Sequence, residues 1–118
     1  MQLVIRFLAA IALAFAWVGA ASAVESTKAE DLECLTLMGS LQTSADPQTK
    51  STGVSGAFYF MGKLVATNPN IDLAREVTAE ISRLRGQPAG AALQRCLNEL
   101  NSRARELVAS SDRPASTN

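Results

Sequence analysis

Val54-Ser55-Gly56-Ala57-Phe58-Tyr59-Phe60-Met61-Gly62-Lys63-Leu64-Val65 is the stretch on which the fold turns. Val54, Ala57, Phe58, Met61, Leu64 and Val65 recur at helical spacing, and Tyr59 and Phe60 widen the apolar arc beyond one stripe. A helix of this kind has to be met on more than one side, so the stretch predicts the most buried helix of a small bundle. Upstream, Asp46-Pro47 forms a helix start, with Asp as N-cap and Pro at the first helical position. Between the two, Gln48 to Thr52 is polar, and Gly53 and Gly56 each weaken a helix by about 1 kcal/mol relative to Ala. The sequence therefore leaves the early part of this helix open. Asn68-Pro69-Asn70 closes the far end with a turn.

Working outward, Thr27-Lys28-Ala29-Glu30 has the form of a capping box, which starts a helix ending near Ser44. Leu32, Leu35, Met38 and Leu41 give it an apolar face, with Cys34 and Leu37 beside them. Glu30, Asp31 and Glu33 crowd its first turns, where negative charge is favoured by the helix dipole. Ile71 to Arg85 places Leu73, Val77, Ile81 and Leu84 on one stripe and its charges elsewhere, an amphipathic helix with a solvated charged face. Gly86-Gln87-Pro88 ends it. A last helix is expected from about Ala89 to Ala109, with Leu93, Cys96, Leu97, Leu100, Ala104 and Leu107 recurring by threes and fours. No strand pattern of useful length and no internal repeat occurs.

At the N-terminus, Arg6 precedes the apolar run Phe7 to Val18, which is too short to span a bilayer. Gly19-Ala20-Ala21-Ser22-Ala23 then supplies the small residues that a signal peptidase accepts. Residues 1–23 are therefore expected to be an export signal, leaving about 95 of the 118 residues as the mature chain. That length makes one domain, 24–109, followed by a Ser-, Pro- and Thr-rich tail, 110–118, expected to be disordered. The destination is the periplasm. Cys34 and Cys96 are the only cysteines, and in an oxidising compartment they are expected to form one disulfide joining the first and last helices. A redox or metal-binding role for the pair would call for a C-x-x-C arrangement or further ligands. The fold expected is thus all-α, a four-helix bundle stapled once and preceded by a signal peptide.

Chemistry is hard to place in this chain. The absence of histidine removes Ser-His and Cys-His catalysis and most zinc sites, and no Gly-rich phosphate loop occurs. No catalytic residue, metal ligand or cofactor site is assigned. After loss of Arg6 with the signal, the mature chain carries a net charge of about −1, which disfavours nucleic acid and anionic membranes as partners. Arg95, Arg103 and Arg105 read as surface charges. Phe58, Tyr59, Phe60 and Met61 are the one unusual cluster, four large apolar side chains in a row. Core packing is the ordinary use of such a cluster, and an interaction surface for apolar ligands or other proteins is the functional one.

The order of these parts carries a resemblance. An export signal, Cys34 in a first helix, Tyr59-Phe60-Met61-Gly62-Lys63-Leu64 in a central one, an Asn68-Pro69 turn, an amphipathic helix, and Cys96 opening a last helix resemble the small disulfide-bonded periplasmic proteins of the HdeA-like type. The resemblance covers about Leu32 to Leu107. It implies a stress chaperone that loosens in acid, keeps its disulfide and binds unfolded clients through apolar surface. Physical chemistry permits this, because protonating the carboxylates, at about pH 3 to 5, leaves the basic side chains unbalanced. The function expected is non-enzymatic binding of other proteins. The alternative is a specific interaction module, such as an inhibitor or immunity protein for an exported enzyme or toxin. A small-molecule carrier comes third, and its mark would be an enclosed apolar cavity beside Phe58 and Met61.

Overall fold

The computed structural model describes residues 26–112, so the expected export signal and residues 113–118 of the expected tail lie outside the described residues. Among the described residues four helices follow one another: α1 (Lys28–Leu41), α2 (Pro47–Thr67), α3 (Leu73–Leu84) and α4 (Gly90–Ser111). No strand occurs among the described residues, and the chain is the all-α bundle its periodicity predicts.

Two helix starts are set by the residues that the sequence marks, Thr27 and Asp46, while the third begins at Leu73, two residues after the expected Ile71, because Asp72 caps it. Thr27 and Glu30 complete a reciprocal capping box on α1. The Asp46 carboxylate accepts from the Thr49 N–H at 3.0 Å, and Pro47 opens α2. Asp72 accepts from the Arg75 N–H at 3.2 Å to start α3. After α3 the chain turns through Gly86, whose φ of 77° lies in the left-handed region that glycine adopts freely. α4 has no side-chain cap at Ala89 and ends at Ser111, two residues beyond the expected Ala109, so the first residues assigned to the tail are helical.

α1 and α2 run antiparallel, with Met38 and Leu41 of α1 against Gly53 and Gly56 of α2, and Asp31 against Lys63. The two glycines that leave the start of α2 open in the sequence are the points of closest approach. A Cβ on Gly53 would come within 2.8 Å of the Met38 carbonyl oxygen and of Leu41 Cβ. Helix propensity is overridden here by what the missing side chains allow. The Cys34–Cys96 disulfide is present, with the two Cα atoms 5.4 Å apart. It ties α1 to α4 and is fully buried, together with Met38, Phe60 and Leu64.

The most enclosed helix is α1, which touches all three others. The expectation that α2 would fill that place is corrected, because only Gly53, Gly56, Phe60 and Leu64 of α2 are buried. The physical reason is that α2 is covered mainly by α1, so the rest of its wide apolar arc faces outward. α4 is covered only in its first half. From Asn101 onward each of its described residues is exposed, Leu107 and Val108 among them.

Candidate interaction site

The four residues of the aromatic cluster point in different directions, as a helix of 3.6 residues per turn requires. Phe60 is fully buried in the core. Tyr59 leans on it edge-to-face, with ring centroids 4.8 Å apart, and turns its hydroxyl toward α4. Burial, with the Glu99 carboxylate beside it, pushes the Tyr59 hydroxyl above its ordinary pKa. Phe58 is 66% exposed and belongs with Val54 and Val65 to an outward stripe on α2. Met61 lies between that stripe and α1, half-buried. Core and surface are therefore both present in the cluster, divided residue by residue.

Met61 and Ala57 form one wall of an open groove of about 910 Å³ between α1, α2 and α3. Leu35 and Gly39 of α1 form its floor, and Leu73, Val77 and Ile81 of α3 its far wall. α3 thus turns its amphipathic stripe toward α1 without closing on it, and Ile81 remains 47% exposed. The groove contains hydroxyls, yet each donates its proton within its own helix. Thr36 donates to the Leu32 carbonyl at 2.9 Å, Ser40 to Leu37 at 2.6 Å and Thr78 to Ala74 at 2.7 Å. None of the three protons is left to donate to a ligand, and the rest of the lining is mainly aliphatic. Arg85, at the end of α3, is the one charged side chain in the lining.

The charged side chains gather elsewhere, and more of them are fixed than the sequence suggests. The Lys63 ammonium donates to Asp31 at 3.0 Å, to Glu99 at 3.1 Å and to the Ser26 hydroxyl. Burial disfavours its charge, but the Asp31 and Glu99 carboxylates outweigh that and hold it above its ordinary pKa. Glu33 accepts from Arg83 of α3 and from Arg95 of α4, both at 2.7 Å. Glu80, expected on a solvated face, is 7% exposed and takes a forked bond from Arg83. Arg95, expected as a free surface charge, joins α4 to α1. Apart from Glu80–Arg83, neighbours on one helix, these charged partners lie on different helices and at least 32 positions apart, so the sequence shows the charges but not their pairing.

Fold and site together define a small, disulfide-stapled all-α protein with an open apolar groove and, among the described residues, no group of three or more His, Cys, Asp or Glu placed to hold a metal. No protein-family model, curated protein or solved structure matches the sequence. Among the described residues no helix is long and apolar enough to cross a membrane.

Proposed function

We propose that the chain is an exported, non-enzymatic protein of the periplasm that binds apolar segments of other proteins and keeps them in solution under envelope stress, as its HdeA-like layout implies. The observation that carries this reading is the exposed Phe58 of α2 together with the open apolar groove that Met61 lines. A mainly apolar surface, with polar side chains only at Gln42 and Arg85 besides hydroxyls bonded within their own helices, attracts apolar segments with little selection among sequences, which suits many clients. Export is supported by the signal pattern in residues 1–23, and a buried disulfide suits an oxidising compartment.

Acid is the stress the charge pattern favours. Each ion pair between helices contains a carboxylate, and all but Lys63–Glu99 attach to Lys28, Glu30, Asp31 or Glu33 at the start of α1. Protonation cancels these attachments and leaves the cations to repel one another, while Cys34–Cys96 keeps α1 and α4 joined. α3, held to α1 by Lys28–Glu76 and Glu33–Arg83, then loosens and widens the groove.

The test uses the oxidised mature protein at neutral pH and at about pH 3. Acid is expected to raise binding of a dye for apolar surface and to suppress client aggregation, with Phe58→Ser reducing the suppression. A bundle that stays closed in acid and protects no client would overturn the proposal. A single stoichiometric partner at neutral pH would assign the surface to an inhibitor or immunity role instead.

A further inference from the structure

We propose that in its closed form, at neutral pH, the groove takes a free single-chain carboxylate amphiphile, with the acyl chain along α3 and the head on Arg85. The lining carries the argument. Leu35, Met61, Leu73, Val77 and Ile81 offer methyl and methylene surface, and the lining hydroxyls are occupied by their own helices. Besides Gln42 and Arg85 the lining carries no amide or charged side chain, so most of the groove favours an aliphatic ligand.

Charge gives the ligand its direction. Arg85 is exposed at one end of the lining and forms no ion pair among the described residues. The acids of α3 do not compete for it, because Glu80 is taken by Arg83 and Glu76 by Lys28. A guanidinium free to form a forked pair favours a planar anionic head such as a carboxylate. The length also fits. α3 has 12 residues and so extends about 18 Å at 1.5 Å per residue. An extended chain advancing about 1.3 Å per carbon covers that distance with about 14 carbons.

This inference concerns the closed form and stands apart from client binding in acid. Laurate is the probe, titrated calorimetrically into the oxidised mature protein below its micelle concentration, with dodecanol and dodecyltrimethylammonium as chain-matched controls. One saturable site is expected, tightening about two- to fourfold for each added methylene. Laurate is expected to bind about three- to tenfold more tightly than dodecanol. Arg85→Gln is expected to abolish that preference and leave dodecanol binding unchanged. Arg85 is exposed, so this variant folds; Val77→Arg, checked for helix content, is expected to block both ligands. Phe58→Ser, outside the groove, is expected to leave laurate affinity unaltered while it reduces client protection in acid, so the two readings fail separately. The proposal is overturned by an absence of saturable laurate binding, by equal affinity for laurate and the cationic control, or by an Arg85→Gln variant that keeps the preference. Cosedimentation with phosphatidylglycerol vesicles in place of binding to monomeric laurate would likewise overturn it.

Discussion

Replacing glycine by alanine in α2 should have opposite signs at different positions, and the difference measures the approach of α1 to α2. In an open helix the change stabilises by about 1 kcal/mol, because alanine has the higher helix propensity and restricts the unfolded chain. Gly62 is such a position, since a Cβ there meets nothing within 4 Å. At Gly53 the new Cβ would lie 2.8 Å from the Met38 carbonyl oxygen and 3.0 Å from the Gln42 nitrogen, both backbone atoms that cannot swing aside. Overpacking of this kind costs about 1 to 3 kcal/mol, and a backbone obstacle places Gly53→Ala at the upper end. Subtracting the propensity gain leaves a net destabilisation of about 2 kcal/mol at Gly53. Gly56→Ala should cost less, about 1 kcal/mol, because its obstacle is the flexible though buried Met38 side chain, with Cγ 2.6 Å away. Gly53→Ala and Gly62→Ala therefore stand about 3 kcal/mol apart, or roughly 10 to 25 °C in Tm for a domain of this size. Thermal unfolding of the oxidised proteins followed by far-UV circular dichroism reads this directly. If Gly53→Ala melts at or above Gly62→Ala, α1 and α2 do not meet at Met38 and the packing reasoning fails.

Reduction of the disulfide, or replacement of both cysteines by serine, should lower stability by about 4 kcal/mol, because the bridge closes a separation of 62 residues in the unfolded chain; denaturant titration with and without reductant checks it. Lys63→Met should cost about 2 kcal/mol, less than for a fully buried pair because Lys63 is partly exposed, since it leaves the buried Asp31 facing Glu99 without a cation; Lys63→Arg should recover most of the loss in the same titration. Glu30 and Asp46 are held below the usual carboxylate range, each chiefly by hydrogen bonds within its own helix cap, with Thr27 and Thr49 respectively. A lowered folded pKa stabilises the fold above the unfolded value and is lost as pH falls through the folded one, so stability should decline below about pH 4.5 and Glu30→Gln should flatten that decline. Phe60→Ala should cost about 3 to 5 kcal/mol, while Phe58→Ser should change stability by less than about 0.5 kcal/mol and reduce client protection in acid.

Helix number, order and the first two starts were legible in the sequence because capping and periodicity are local. Thr27 and Asp46 each sit next to the helix they cap, and the Cys34–Cys96 pair had no rival partner, whereas Asp72 reads as one more charge on the third helix until the structure shows it capping. What escaped is set by distant parts of the chain. Gly53 and Gly56 announce only a local penalty, because their benefit lies in Met38 and Leu41 of another helix. Leu73, Val77 and Ile81 form the same stripe whether or not a neighbour closes over them, so the groove depends on the placement of α3 rather than its pattern. Phe58 shows the same limit from the other side: a wide apolar arc predicts burial, and its exposure follows from α1 covering only one side of α2.

The two halves of α1 explain how one small helix can serve both rigidity and release. Its first turns carry Lys28, Glu30, Asp31 and Glu33, where the charged attachments to α2, α3 and α4 converge. Its last turns carry Leu35, Met38, Gly39 and Leu41, which pack on α2 and floor the groove. The first set depends on pH and the second does not, because protonation changes Coulomb attraction without altering apolar area. Cys34 sits at the boundary and fixes α4 there. In acid the charged half should let go while the Met38 contact and the disulfide remain, which expands the bundle from one end rather than unfolding it. Hydrogen exchange in acid should then show α3 losing protection before the α1–α2 contact at Gly53 and Gly56, and simultaneous loss in both regions would show that no such division exists.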